Sequence, residues 1–280
     1  MSLQEIVLPN ECTTIALAGG PYSNFGAVAE FLRRTDGLPR FCLGDIGGFG
    51  PLPDRTLDLI RGSDIACLQG NYDHSIGHGE KDCGCGYIDP VDRHYAQVSY
   101  DYTDRKTSPH HKAFLRALPE QILLVWRNVR VLLCHGSPDQ VNEFVWESET
   151  SDDTLAHWLD ANGVTGICAT HSGLPWIRAL DDGRFWCNVG VLGRPAHEDS
   201  ARVFYGLLEF PHGNAVPSPR LVPMGYDPQP VAAAMRSEGL PDVFVDSLLG
   251  GRWTTCCNIL PDAERQPRDR VAVASSPLEA

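Results

Sequence analysis

Four short polar segments follow apolar, strand-like runs, and each contains a side chain that can bind a divalent ion. These side chains are Asp45, Asn71, His135 and His171. A carboxylate, an amide oxygen and two imidazoles form a ligand set suited to Mn, Fe or Zn. Each residue alone also has a structural interpretation: a helix N-cap, a turn and two buried, hydrogen-bonded histidines. Because four candidates occur at equivalent positions, the sequence favours a metal site.

The segment after the third apolar run is the richest in polar side chains. Residues 70–74 read Gly-Asn-Tyr-Asp-His and follow the strand-like run 65–68. A carboxamide, a phenol, a carboxylate and an imidazole in a row suit a metal or an anion better than they suit packing. A polar loop after a strand is the alternative interpretation of this segment.

Strand and helix patterns alternate along most of the chain. Apolar runs predict strands at 14–18, 41–43, 65–68, 122–126, 129–134, 166–169, 185–189 and 203–210, with 122–134 forming a hairpin. Helical patterns cover 25–34, 53–61, 109–118, 152–162, 229–238 and 242–249. Between residue 75 and the helix that begins at Pro109, neither the strand pattern nor the helix pattern continues. The sequence therefore predicts an irregular insertion over residues 75–111. The alternation indicates an α/β fold whose strand ends converge on one edge.

Composition limits the classes of function. The chain has 280 residues and a net charge of −13, which disfavours binding to nucleic acid or to an anionic membrane. It contains no apolar stretch of transmembrane length and no signal-peptide pattern, so we expect a soluble, cytoplasmic protein. Residues 1–226 are predicted to form the main domain, and residues 227–280 a helical extension with a disordered tail from about Gln266.

The order and spacing of the polar segments resemble those of the calcineurin-like metallophosphoesterases. That family's motifs read Asp-x-His, Gly-Asp, Gly-Asn-His-Asp, Gly-His and Gly-His-x-His. The matching segments lie between residues 13 and 210 and are Gly44-Asp45, Gly70-Asn71-x-Asp73, His135-Gly136 and Thr170-His171. The resemblance implies two packed mixed β-sheets flanked by helices, with metal ions at the strand ends.

The departures from the family pattern all concern one metal. The Asp and His of the first motif fall at Gly20 and Tyr22, and the last His falls at Gly173. In the family these three positions bind the first metal, whereas the positions of Asp45, Asn71, His135 and His171 serve the second, with the aspartate bridging both. The resemblance therefore implies a single divalent ion per chain.

The resemblance also implies roles for residues other than the metal ligands. The family's catalytic His is Tyr72 here, which is a poor acid at neutral pH because its reference pKa is about 10. His74 is the candidate to replace it, or else an exposed bystander, and Asp73 is expected to position Tyr72 or His74. The side chains expected to orient a bound phosphate are Tyr22, Asn24, Tyr72 and Arg194.

Cys83 and Cys85 stand one residue apart in a glycine-rich stretch. As thiolates they could chelate an ion at the position of the first metal. A redox-active pair and a turn-forming pair are the alternatives, since no second Cys pair follows at zinc-ribbon spacing.

These observations lead to two functional hypotheses. The first is a metal-dependent phosphoester hydrolase, a phosphatase or phosphodiesterase, that acts on a small phosphorylated substrate. The second is a binding or regulatory protein that keeps the fold and has lost turnover, because losing one of two metals removes much of the transition-state stabilisation. The sequence leaves the substrate, the metal and the oligomeric state open.

Overall fold

Two mixed β-sheets form the centre of the structure, a computed structural model that describes residues 2–211 and 216–266. The first sheet has the strand order β1-β5-β6-β7-β9-β8 and the second has the order β11-β10-β2-β3-β4. The strands are β1 (Leu3–Val7), β2 (Thr14–Ala18), β3 (Arg40–Cys42), β4 (Ile65–Cys67), β5 (Gln121–Trp126), β6 (Val129–Leu133), β7 (Gly166–Ala169), β8 (Trp176–Ala179), β9 (Phe185–Asn188), β10 (Val203–Glu209) and β11 (Ser218–Met224).

Parallel pairing brings the site-bearing strand ends to one edge of each sheet. In the second sheet β2, β3 and β4 run parallel, while β10 pairs antiparallel with β2 and β11. In the first sheet β6, β7 and β9 run parallel, and β5 and β6 form the predicted hairpin. The expected fold of two mixed sheets flanked by helices is therefore confirmed.

The main apolar core lies between the two sheets. Along β5, Ile122, Leu124 and Trp126 face this core, whereas Leu123 faces the opposite side. Alternation with a period of two is what a strand covered on both faces requires. Leu17 of the second sheet packs in the same core, so apolar burial fixes the sheets against each other.

Helices cover the outer faces of both sheets. They are α1 (Phe25–Arg34), α2 (Pro53–Arg61), α3 (Asn71–His78), α4 (Pro90–Lys106), α5 (Pro109–Arg116), α6 (Asp152–Asn162), α7 (Gln229–Ser237), α8 (Asp242–Gly250) and α9 (Asp262–Arg265). Helix α6 packs on the first sheet, and α1, α2, α4, α7 and α8 contribute to the core beside the second sheet. Within the described part of the chain, none of the helices has the length and apolar character needed to cross a membrane.

The predicted irregular insertion between residues 75 and 111 is wrong, because α3 and α4 occupy most of it. Helix α4 begins with Asp89 as N-cap, whose side chain accepts hydrogen bonds from two backbone N–H groups, and with Pro90 in the first turn. Its buried face includes Ala96, Tyr100 and Thr103, which are spaced as one helix face requires. These residues are small or polar, so the face carries a weak hydrophobic signal in the sequence.

Three strands, β1, β8 and β11, were not predicted from the sequence. Strand β1 is an edge strand with exposed Leu3 and Val7, and β11 is an edge strand that contains two prolines. Edge strands tolerate proline because one side makes no ladder hydrogen bonds. The predicted division at residue 226 stays a prediction, and residues 267–280, where a disordered tail was predicted, lie outside the described residues.

Candidate metal centre

Three of the predicted ligands converge at the ends of β3, β6 and β7. One donor atom from each of Asp45, His135 and His171 lies within 4.8 Å of the other two. Nε2 of His135 lies 3.2 Å from Oδ2 of Asp45 and 3.1 Å from Nδ1 of His171. Ligand atoms that share one ion at about 2.0–2.2 Å lie roughly 3 Å from one another. The spacing therefore fits a shared divalent cation.

A backbone carbonyl fixes the orientation and the tautomer of His135. Nδ1 of His135 lies 2.6 Å from the carbonyl oxygen of Leu43, which can only accept a hydrogen bond. Nδ1 must therefore carry the proton, and Nε2 presents its lone pair to Asp45 and His171. Metal-binding histidines in proteins are usually oriented by such a bond.

Two buried polar atoms beside this group lack hydrogen-bond partners. They are Oδ1 of Asn71 and Nε2 of His171, and both side chains are almost fully buried. The amide nitrogen of Asn71 is already used, since it donates to the carbonyl oxygen of Cys83 at 2.8 Å. A buried polar atom without a partner is costly, and a cation at the cluster would satisfy Oδ1 of Asn71. His171 would bind the same ion through Nδ1, the atom that lies 3.1 Å from Nε2 of His135, whereas its Nε2 is on the other side of the ring. The residues present thus fit a single divalent ion held by Asp45, Asn71, His135 and His171.

Close approach of two strand ends brings Asp45 to the start of α3. A Cβ at Gly70 would lie 2.2 Å from Oδ1 of Asp45, and one at Gly44 would lie 2.3 Å from the Gly70 nitrogen. Both positions therefore require glycine. Asp45 itself has a φ of +56°, a conformation that aspartate tolerates better than most residues, and its Oδ1 accepts a hydrogen bond from the Tyr72 N–H at 2.9 Å.

Asp73 holds this loop in place. Its carboxylate accepts hydrogen bonds from the N–H groups of Asp45, Ile46 and Gly70 at 2.7, 3.0 and 2.9 Å. The expectation that Asp73 positions Tyr72 or His74 is corrected: its oxygens are used by backbone donors. Burial and the charge of Asp45 raise the pKa of Asp73 to about 7, against the lowering effect of these hydrogen bonds.

The two histidines differ in their protonation. Burial and the neighbouring His135 lower the pKa of His171 to about 3, so this ring is neutral at physiological pH. Burial also acts to lower the pKa of His135, but the Asp45 carboxylate outweighs it and leaves the pKa above the ordinary value of 6.5. In the metal-free protein His135 is the group whose proton competes with a metal ion.

Metal affinity is therefore expected to depend on pH through His135. Below the raised pKa of His135 the ion must displace a proton, so affinity should fall about 10-fold for each unit of decreasing pH, and it should level off above that pKa. Zinc titrations in a competing chelator between pH 5.5 and 8.5 measure this slope. Calorimetry in buffers of different ionisation enthalpy should give about one proton released per ion. Affinity independent of pH below 7 would contradict the assignment of His135.

Aromatic rings lie against Gly20 and Gly173, two of the positions at which this chain lacks the family's ligands to the first metal. A Cβ at Gly20 would lie 2.9 Å from Cζ of Tyr22, and a Cβ at Gly173 would lie 3.2 Å from the Trp253 ring. Tyr22 and Trp253 are both buried, at 6% and 7% exposure. Burial and the nearby Asp45 carboxylate raise the pKa of Tyr22, so its hydroxyl stays neutral. These residues do not fit a second ion.

Arg194 is a buried cation next to these aromatic rings. Its guanidinium lies 4.0 Å from the centre of the Trp253 ring and 5.3 Å from that of Phe49, and it donates to the Thr255 carbonyl at 2.7 Å. Arg194 thus brings a positive charge to the region of Tyr22, whose pKa it acts to lower. Its predicted contact with phosphate stays a prediction.

Three other predicted site residues have structural roles. Asn24 caps α1 by accepting from the Ala27 N–H at 3.0 Å, and its amide donates to Tyr226 at 2.7 Å. The hydroxyl of Tyr72 donates to Ser99 of α4 at 3.0 Å, and burial raises its pKa well above 10. His74 is exposed on α3 and its Nδ1 lies 3.1 Å from the Gln69 side chain. The expected contacts of Asn24 and Tyr72 with phosphate stay predictions, and both side chains make the structural hydrogen bonds described here.

The predicted thiol pair lies beside the cluster as a disulfide. Cys83 and Cys85 are bonded to each other, and Sγ of Cys85 accepts a hydrogen bond from the Asn71 amide at 3.4 Å. In this form neither residue offers a thiolate to an ion, and their predicted role as ligands, with its redox-active and turn-forming alternatives, stays a prediction. The segment covers the cluster together with Phe144, whose ring centre lies 4.4 Å from that of His171.

Two functional residues were missed by sequence reasoning. Trp253 was placed in the C-terminal helical extension and Phe144 in a connection, and neither belongs to a motif. The usable signal was their residue type: large aromatic side chains in otherwise polar loops usually pack against something.

Comparison with known proteins agrees with this architecture. No protein-family model matches the chain. An uncharacterized protein of Methanocaldococcus jannaschii is 26% identical over 202 residues, which are 65% of this chain and 76% of that protein.

Two solved structures share the fold over most of the chain. A metallophosphoesterase from Sphaerobacter thermophilus is similar with a TM-score of 0.66 and 21% identity, covering 85% of this chain and 99% of that one. A hypothetical protein from Pyrococcus horikoshii OT3 is similar with a TM-score of 0.71 and 16% identity, covering 88% and 99%. The chain therefore has the two-sheet metallophosphoesterase fold.

Proposed function

We propose that this chain, built on the metallophosphoesterase fold, is a metal-dependent phosphoester hydrolase that works with a single divalent ion. The observation that carries the proposal is the convergence of Asp45, His135 and His171, together with a buried Oδ1 of Asn71 that has no hydrogen-bond partner. Mn, Fe and Zn all suit this ligand set. Such an ion would polarise a phosphoryl oxygen and lower the pKa of water that attacks the phosphorus.

The other residues would bind and shield a small phosphorylated substrate. Arg194 is placed to supply the positive charge that the missing first metal would otherwise give to a phosphate oxygen. The aromatic rings of Phe144 and Tyr87 lie 5.5 Å apart over the cluster side that carries His171, so they would exclude bulk water. Tyr22 would donate a hydrogen bond through its neutral hydroxyl, since burial raises its pKa.

A second candidate function is a binding or regulatory protein with impaired turnover. Filling of the first-metal position by Tyr22 and Trp253 favours it, because two ions normally stabilise both the attacking and the leaving oxygen. The commitment of the Tyr72 hydroxyl to α4 favours it further, since no proton donor replaces the family's histidine there.

Metal analysis and hydrolysis assays distinguish the two functions. The hydrolase proposal expects about one divalent ion per purified chain. It also expects turnover of aryl phosphate mono- and diesters well below the typical enzyme rate of about 10 s⁻¹. A chelator should abolish this turnover and Mn or Zn should restore it. Metal binding and phosphate binding without turnover of either ester would establish the second function instead, and a chain that binds no ion would exclude the hydrolase.

A further inference from the structure

We propose that α2 and α5 together form a second, surface site for a divalent transition metal such as zinc, held by Asp58, His110 and His111. One ring nitrogen of each histidine and one carboxylate oxygen of Asp58 lie within 4.8 Å of one another. His111 is fully buried, whereas Asp58 and His110 are exposed and can turn to close around an ion. Asp58 also lines an open cavity of about 920 Å³, so solvent reaches the site.

His111 is oriented as a metal-binding histidine. Its Nδ1 lies 2.9 Å from Oδ1 of Asp54, which also accepts a hydrogen bond from the Ser108 N–H at 3.0 Å. A carboxylate that holds one ring N–H of a histidine leaves the other nitrogen available to a metal and makes it a better ligand. Asp54 therefore acts as a positioning residue that directs Nε2 of His111 toward Asp58.

Nε2 of His111 is buried and makes no hydrogen bond. It lies 3.1 Å from Oδ1 of Asp58, but the contact lacks the direction that a ring N–H would need to donate. With the proton on Nδ1, the Nε2 nitrogen and the carboxylate oxygen both carry negative partial charge and repel each other at this distance. A cation between them, shared with His110, removes the repulsion.

The second histidine is aligned with the first. Oγ of Ser108 lies 3.0 Å from Nδ1 of His110 and 3.2 Å from Nδ1 of His111, and the two ring centres are 3.9 Å apart. Consecutive residues of a helix normally point in different directions, so this pairing is specific to the first turn of α5. Two imidazoles and one carboxylate with an open fourth position form a ligand set that zinc accepts. The carboxylates of Asp54 and Asp58 outweigh the partial positive charge at the start of α5.

The test uses zinc alone and the full chain. Equilibrium dialysis against buffered free zinc measures the ions bound to wild type, to Asp58→Asn and to His110→Ala, both of which change exposed side chains and should fold. We expect each variant to bind one zinc ion fewer than wild type at low free zinc, with affinity for that ion weakened at least 10-fold. Asp54→Asn should weaken the affinity for the same ion by about 10- to 100-fold, because removing a carboxylate that orients a ligand histidine has an effect of this size. Exposed His157→Ala and Asp246→Asn serve as matched controls and should bind as wild type.

Cobalt substitution gives a second readout that does not depend on the central cluster. Titration with Co²⁺ should produce visible absorption from a four-coordinate ion in His135→Ala, where only the surface site remains, and the absorption per chain should be lower in His110→Ala than in wild type. Equal zinc content in wild type, Asp58→Asn and His110→Ala would overturn the proposal and leave His111 as a buried structural ring between two carboxylates. Loss of the ion in the controls as well would also overturn it. If the central cluster binds no metal, the surface site would still be detected, so the two proposals fail separately.

Discussion

Replacing His135 by alanine is expected to abolish metal binding at the central cluster and to lower the stability of the chain severely. His135 is fully buried and its Nε2 faces both Asp45 and His171, so removing it takes away a ligand and leaves the Asp45 carboxylate buried without its partner. Losing one partner of a buried ion pair costs about 3–5 kcal/mol. In buffer with metal at about 100 times its dissociation constant, a further 2.7 kcal/mol of ligand stabilisation is lost.

Thermal unfolding with metal and with chelator separates these two contributions. The difference between wild type and His135→Ala in chelator reports the lost pair, and the additional difference in metal reports binding. Exposed His157→Ala is the control for a histidine substitution and should leave both the melting temperature and the metal content unchanged. Full metal content in His135→Ala would show that the central site is assigned to the wrong residues.

The ligands could be predicted from sequence because they depend on a simple geometric rule. Asp45, His135 and His171 each follow a strand, and the carboxyl ends of parallel strands meet at a sheet edge. The carboxylate and the two imidazoles at that edge then suffice to predict a cation site. Apolar patterns predicted most of the strands and an α/β fold, whereas the arrangement of two packed mixed sheets was implied by the resemblance to the metallophosphoesterases.

The roles of the surrounding residues could not be predicted in the same way. Asp73 accepts three backbone N–H groups whose positions depend on a loop with unusual backbone angles. Tyr72 was expected on a strand-like tip, but it lies in the first turn of α3, which turns its hydroxyl toward α4. A one-residue change in where a helix begins rotates a side chain by about 100° around the helix axis, and sequence patterns do not locate helix ends to that accuracy.

The disulfide between Cys83 and Cys85 shows a further limit. Two cysteines one residue apart can chelate an ion, bond to each other or stabilise a turn, and the sequence leaves all three open. Their position beside Asn71 depends on how the segment before α4 folds back over the cluster. That path is set by contacts with residues distant in sequence, such as the bond from the Asn142 amide to the Gly84 carbonyl at 2.9 Å.

Replacing Trp253 by alanine is expected to have the second large effect, on stability and not on metal content. The indole is almost fully buried, donates through Nε1 to the Pro195 carbonyl at 2.6 Å and stacks on the Arg194 guanidinium. Truncating a buried tryptophan to alanine costs about 3–5 kcal/mol. The vacated space lies over Gly173, which provides no side-chain ligand, and so the metal content should stay at about one ion per chain.

Urea unfolding and metal analysis of Trp253→Ala and Trp253→Phe test this expectation together. Phenylalanine keeps the ring over Gly173 and loses the hydrogen bond, so it should cost about 1–2 kcal/mol. Uptake of a second ion by Trp253→Ala would contradict the account, because it would mean that donors beside Gly20 and Gly173 were merely blocked. If Trp253→Ala keeps the metal content of wild type, removing the aromatic ring is not enough to admit a second ion. The ring and the missing ligands at Gly20 and Gly173 then each prevent a second ion from binding. Restoring Gly173→His alone should then fail, since its Cβ would lie 3.2 Å from the Trp253 ring at a φ of +76° that non-glycine residues adopt only with strain.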